Sequence, residues 1–247
     1  MNIIKVLITR EFLIIKNAML KYFFILILSP LILYLFLTIP LSVIVKDIKP
    51  IYIVWSAPGI WIVTTLYLVY LFNFSFYERN FNSEMMKSTP VQSYQYLFAS
   101  YLFSLIIGLF QLLISIIIIS SLNSDYISFI NLLEFCFLIF PAIIIISCIS
   151  CLIYFFVNNK IVSLFSHIII FLLISFGLGS FIPINRFPQD YMNIVQYFPI
   201  SGTILNFQKI ISSELIFFNL IFISFLYLIL FGVINLLIID KSIEGNK

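Results

Sequence analysis

Apolar residues run along this chain in long stretches separated by short polar breaks. Six stretches, 22–45, 51–77, 97–120, 132–157, 161–182 and 215–239, are of membrane-crossing length, since a hydrocarbon core of about 30 Å takes roughly 20 apolar residues as a helix. Inside a bilayer every backbone polar group needs a partner within the segment, so each stretch predicts a helix. The shorter alternating segments of a membrane β-barrel are absent from the pattern. The expected fold is all-α, with 1–247 forming one polytopic membrane domain. The first stretch is longer and later than the apolar part of a cleaved signal peptide, so the mature chain is expected to keep it.

Composition points the same way: 63% of the residues are hydrophobic and 9% are charged, against about 25% charged in soluble domains. The few charges carry the topology. In 1–21, Asn2, Lys5, Thr9 and Lys16 share one side of a helix, flanked by Arg10 and Asn17, while Ile3, Val6, Leu7, Phe12, Ile14 and Met19 fill much of the rest. This predicts an amphipathic helix on the membrane surface; the alternative is an extension of the first spanning helix. Glu11 lies on the apolar side and fits neither picture.

With the N-terminus in the cytoplasm, Lys5, Arg10, Lys16, Lys21, Arg79, Lys87, Lys160, Lys241 and Lys247 lie inside, and Lys46, Lys49, Arg186 and Lys209 outside. That imbalance predicts a multi-pass protein of the cell (inner) membrane with both termini cytoplasmic.

The polar break between the second and third stretches then faces the cytoplasm. Its segment 78–96 carries Glu78, Arg79, Glu84 and Lys87 and reaches Pro90, a residue suited to a first helical turn with Thr89 as its cap. The plain alternative is a polar connection. The outer segment 183–214 has the character of re-entrant helices, a backbone tolerated at membrane depth only where protein or a water-filled cavity covers it. Phe181, Phe187, Tyr191, Tyr197, Phe198 and Phe207 are candidate gate residues there, the alternative being an aromatic belt at the headgroups. Arg186 and Asp190, four apart, are expected to pair on one helical face.

Chemistry is sparse. No glycine precedes a lysine, so the phosphate-cradling loop of an ATPase is missing. His167, beside Ser163 and Ser166, reads as hydrogen-bonded packing in preference to a proton relay. Cys148 and Cys151 share a helical face in the fourth stretch, but with Ile149 and Ser150 between them and Cys136 the one other thiol, they read as small packing residues in preference to a zinc site. Glu134 near the outer end of the fourth stretch is either solvated by the loop carrying Asp125 or a functional carboxylate. Catalytic, cofactor and metal sites are not expected in this chain.

Tyr77-Glu78-Arg79, Asn82-Ser83-Glu84 and Ser88-Thr89-Pro90-Val91, together with Ser56-Ala57-Pro58-Gly59 and the prolines Pro183, Pro188 and Pro199 of the outer segment, resemble the membrane (permease) subunits of type-2 ATP-binding-cassette exporters. The likeness extends over nearly the whole chain; it departs at Asn82, where the family has glycine. It implies a coupling element made by Glu78, Arg79, Asn82, Ser83, Glu84, Thr89, Pro90 and Val91, seated on a separate ATPase subunit that holds ATP and magnesium. Lys5, Arg10 and Lys16 of the surface helix would bear on the same partner. It further implies a dimer with a second copy or a paralogous membrane subunit, and no nucleic-acid partner. A drug, lipid, peptide or glycan is the expected cargo, because the spans carry few charges for an ion path. The rival readings are an intramembrane transferase and a nonenzymatic assembly or immunity factor.

Overall fold

The computed structural model describes residues 3–45, 51–81, 92–123, 129–157 and 159–244. The described chain is helical nearly throughout, and six of its helices are long and apolar enough to cross a membrane. Helix α1, Ile3–Asn17, breaks at Ala18 and is followed by a long rod made of α2 (Met19–Leu33), a π turn (Tyr34–Thr38) and α3 (Ile39–Ile44). Pro40 has no N–H to offer the preceding turn, and the widened turn carries the rod past that gap.

Helix α4, Tyr52–Phe81, is the centre of the bundle, and most of its residues are buried. It packs on α5 (Ser93–Asn123) and α6 (Phe129–Phe156). Gly108 lets the three approach, because a Cβ there would lie 2.7 Å from Ile143 and 3.0 Å from Val69. The first span, α7 (Lys160–Leu172) and the last helix, α10 (Phe218–Glu244), are by contrast mostly exposed along their apolar length. That surface is left for lipid or another subunit.

Several boundaries differ from the sequence expectation. Helix α4 continues one turn beyond 77, through Glu78 and Arg79, and α5 starts already at Ser93. The fifth span stops at Gly177, after a π turn at Leu173–Gly177, and does not reach 182. Gly179 has a φ of +94°, which turns the chain back against its own helix: Ser180 Oγ donates to the Ile174 carbonyl at 2.7 Å and the Phe181 N–H to Ser175 at 3.2 Å. The same reversal seats on α4. Tyr52 Oη donates to the Phe181 carbonyl at 2.7 Å, and a Cβ on Gly59 would lie 2.2 Å from the Ser180 oxygen. Pro58 lies inside α4, between Tyr52 and Gly59.

After a short 3-10 turn, Ile184–Arg186, come α8 (Gln189–Val195) and α9 (Pro199–Ile211). Helix α9 is buried along most of its length against α4, α6 and α10. Arg186 and Asp190 are not on one helix as expected. Extended backbone at Phe187 and Pro188 separates them, which removes the four-residue helical register. The described ion pairs do not include them.

The ends of the bundle are distinct. One end gathers α1 with the C-terminal ends of α4, α6 and α10 and the N-terminal ends of α5 and α7; α9 and the reversal after α7 lie at the other.

Candidate functional site

The polar break between the second and third spans leaves the bundle from Phe81, the last residue of α4, and rejoins it at Ser93. Asn82, Ser83, Glu84, Thr89, Pro90 and Val91 lie outside the described residues. The two candidates at its root, Glu78 and Arg79, are adjacent in sequence and point about 100° apart on α4.

Arg79 turns toward α1. Its guanidinium donates to Glu11 Oε2, while Arg10 donates to Oε1 at 2.7 Å. The carboxylate is 1% exposed, the Arg10 and Arg79 side chains 40% and 34%. A buried carboxylate needs partners, and two cations holding one oxygen each meet that need. Glu11, unexplained by the sequence, is therefore the residue that fastens α1 to α4. Leu7, one turn earlier, packs in the same seam with Phe76, Tyr77 and Tyr96, while Lys5, Thr9 and Lys16 are exposed. Helix α1 also exposes Val6 and Leu13, so part of its apolar side does not face the bundle. Lys5 and Lys16 are thus on the outside of α1, and Arg10 is drawn inward.

Glu78 turns instead into a groove of about 1050 Å³ between α4, α6 and α7. Tyr154 and His167 line the same groove. His167 has both ring nitrogens occupied, Nδ1 at 2.9 Å from Tyr70 Oη and Nε2 at 3.4 Å from Ser163 Oγ, and its ring meets Phe74 at 4.7 Å.

A second polar feature escaped sequence reading. Asn73 Nδ2 donates to Ser104 Oγ and, at 2.6 Å, to Ser147 Oγ, tying α4 to α5 and α6. Along the same seam Tyr77 Oη lies 2.8 Å from Ser100 Oγ, Thr64 Oγ1 lies 2.9 Å from Ser115 Oγ, and Gln111 donates to Ser115 at 3.0 Å. Cys148 Sγ is 2.9 Å from Tyr101 Oη, and all three cysteines are free thiols. The available signal was the spacing of Ser100, Ser104, Gly108, Gln111 and Ser115, three or four apart. Small and polar residues in that register form one helix face for close packing.

The aromatic residues of the outer segment divide between the core and the surface. Phe181 and Phe207 are buried in the core, Phe207 against Phe135 at 4.6 Å. Phe187 packs on Tyr191 at 5.2 Å, and the Tyr191 hydroxyl donates to the Gly177 carbonyl at 3.0 Å. Phe198 lies 6.5 Å from Tyr227, and Tyr197 is exposed. Glu134 is half-buried near the start of α6; Asp125 lies outside the described residues.

Six membrane-length apolar helices, with the charged groups concentrated toward the helix ends, make this a multi-pass membrane protein of an architecture consistent with a transport subunit. Residues 58–239 match the family model described as ABC-2 family transporter protein, and the chain belongs to that family. Membership implies association with an ATP-binding-cassette ATPase. No curated protein and no solved structure matches the chain.

Proposed function

We propose that this chain is the membrane subunit of an ATP-binding-cassette exporter, forming its pathway with a second copy or a paralogous subunit and driven by a separate ATPase chain. The family match over 58–239 carries the reading. In this account 78–96 is the coupling segment on the cytoplasmic side, and Glu84, Thr89, Pro90 and Val91 meet the ATPase. Arg79, by holding Glu11, joins the root of that segment to α1. A push on the segment is then shared with the surface helix and its outward lysines, Lys5 and Lys16. The exposed apolar Val6 and Leu13 suit a helix resting on the headgroup region. The first span and α7 offer exposed apolar faces for the membrane partner.

The test is co-purification of the chain with its ATPase, followed by drug-, lipid-, peptide- or glycan-stimulated ATP hydrolysis in proteoliposomes. Thr89→Arg and Glu84→Arg are expected to reduce both association and coupled hydrolysis. Unchanged association together with unchanged hydrolysis in both variants overturns the coupling assignment.

A further inference from the structure

The groove beside Glu78 is built from more than coupling needs. On α4, Leu71, Phe74, Ser75, Glu78 and Phe81 line it, at the three- and four-residue spacings of one helix face. Helix α6 adds Tyr154 and Phe155. The rings form a continuous wall: Phe74 to Tyr154 is 5.8 Å between centroids, Tyr154 to Phe155 5.1 Å, Phe155 to Phe81 5.0 Å and Phe81 to Tyr154 6.2 Å. Each ring is half-buried, packed on its neighbours while still lining the groove. Glu78 is exposed within this aromatic surround, and the described ion pairs do not include it.

We propose that this groove binds the ammonium headgroup of an amphipathic ligand. Aromatic faces carry negative potential and attract organic cations, most effectively where water is partly excluded. Glu78 supplies the counter-charge one turn from both Phe74 and Phe81. An anion would meet the rings and the carboxylate as repulsion, and a neutral headgroup would leave Glu78 without a partner.

Lys160, which also lines the groove, fits this arrangement by its depth. From the contact between Phe74 and His167, Glu78 lies four residues along α4 and Lys160 seven residues back along α7. Those offsets are about 6 and 10 Å toward the same end of the bundle. The backbone of Lys160 is therefore nearer the mouth than that of Glu78. A plain alkylammonium would use the inner part alone, whereas a phosphocholine-type lipid would place its phosphate beside the lysine.

The site rests on the exporter reading only in treating its ligand as cargo, so it is tested on the purified full-length chain without any ATPase. Binding of radiolabelled decyltrimethylammonium is measured in maltoside micelles for the unaltered protein and for Glu78→Gln and Tyr154→Leu. Only variants with unaltered size-exclusion profile and melting are scored; should Tyr154→Leu fail this, Phe74→Leu replaces it. Saturable binding, weakened roughly ten-fold in each variant and not displaced by neutral decyl glucoside, is expected. Displacement by dodecylphosphocholine that is lost in Lys160→Gln assigns the site to lipid headgroups; weaker or unaltered displacement assigns it to simple organic cations. Absence of saturable binding, affinity unaltered from the parent protein in both variants, or displacement by neutral decyl glucoside overturns the proposal. A chain that binds the ammonium but purifies without an ATPase keeps the groove and sinks the exporter reading; the reverse pattern sinks the groove alone.

Discussion

Arg79 reaches across 68 positions of sequence to the buried carboxylate of Glu11, and through that contact the first helix is fastened to the central one. Arg10, next to Glu11 in sequence, holds only one of the two carboxylate oxygens. The expected signature is energetic coupling between Arg79 and Glu11.

Arg79→Ala leaves Glu11 buried with Arg10 alone. Since the arginine is partly exposed, a loss of about 1–3 kcal/mol is expected, below the cost of breaking a fully buried pair. Glu11→Gln should lose a similar amount, and the double variant distinctly less than the sum. Unfolding in graded denaturing detergent measures all three. Additive losses would show that the contact contributes nothing of its own.

Gly59 and Gly232 make a matched pair. A Cβ at Gly59 would press on the Ser180 backbone oxygen at 2.2 Å, whereas one at Gly232 meets nothing within 4 Å. Gly59→Ala should therefore destabilise the protein by ~2 kcal/mol or more through a forced backbone shift. Gly232→Ala, on the exposed side of α10, should be neutral or stabilising by up to about 1 kcal/mol. Melting temperatures of the two variants, compared in one detergent, decide the matter.

Asn73→Leu removes the donor shared by Ser104 and Ser147. The hydroxyls keep other partners, Ser104 through the Ser100 carbonyl at 2.6 Å and the two serines through each other at 3.2 Å. The expected loss is therefore modest, about 0.5–1.5 kcal/mol, in the range of hydrogen bonds between membrane helices. A loss well above that range would mean that the seam acts as one cooperative unit.

Phe187→Ala strips the ring packed on Tyr191, whose hydroxyl holds the Gly177 carbonyl where the fifth span ends. Transport by the assembled complex should fall while co-purification with the ATPase persists. Tyr191→Phe, which keeps the ring and loses only the hydrogen bond, should have the smaller effect. Loss of co-purification in Phe187→Ala would assign the pair to assembly.

The six spans were legible because membrane length and apolar composition are properties of contiguous sequence. What the sequence did not disclose depends on contacts between distant segments. Glu11 looked misplaced until α4 supplied Arg79. The expectation that Arg186 and Asp190 pair assumed one helix, and Pro188 with extended Phe187 removed that assumption. The fifth span looked apolar to 182, yet it ends at Gly177 and Gly179 lets the chain turn back, because hydropathy does not register a left-handed backbone. The serine and asparagine seam was hidden for a different reason: isolated hydroxyls scattered among isoleucines lower hydropathy very little. Only their register on the helix reveals a shared face. Of the coupling set, Glu78 and Arg79 are joined to the described bundle, and they divide between two surfaces that a linear reading had merged.

That seam has an electrical consequence. Every side chain it buries between α4, α5 and α6 is uncharged, and the sequence places no Asp, Glu, Lys or Arg in 52–77, 93–123 or 135–156. Displacing a charge through the membrane field is worth about 2.3 kcal/mol per 100 mV, and the seam itself holds none to displace; the charges of α4 and α6, Glu78, Arg79 and Glu134, sit near the helix ends. Rearranging the seam is therefore voltage-blind in itself, and a membrane potential would act on these helices only through their charged ends.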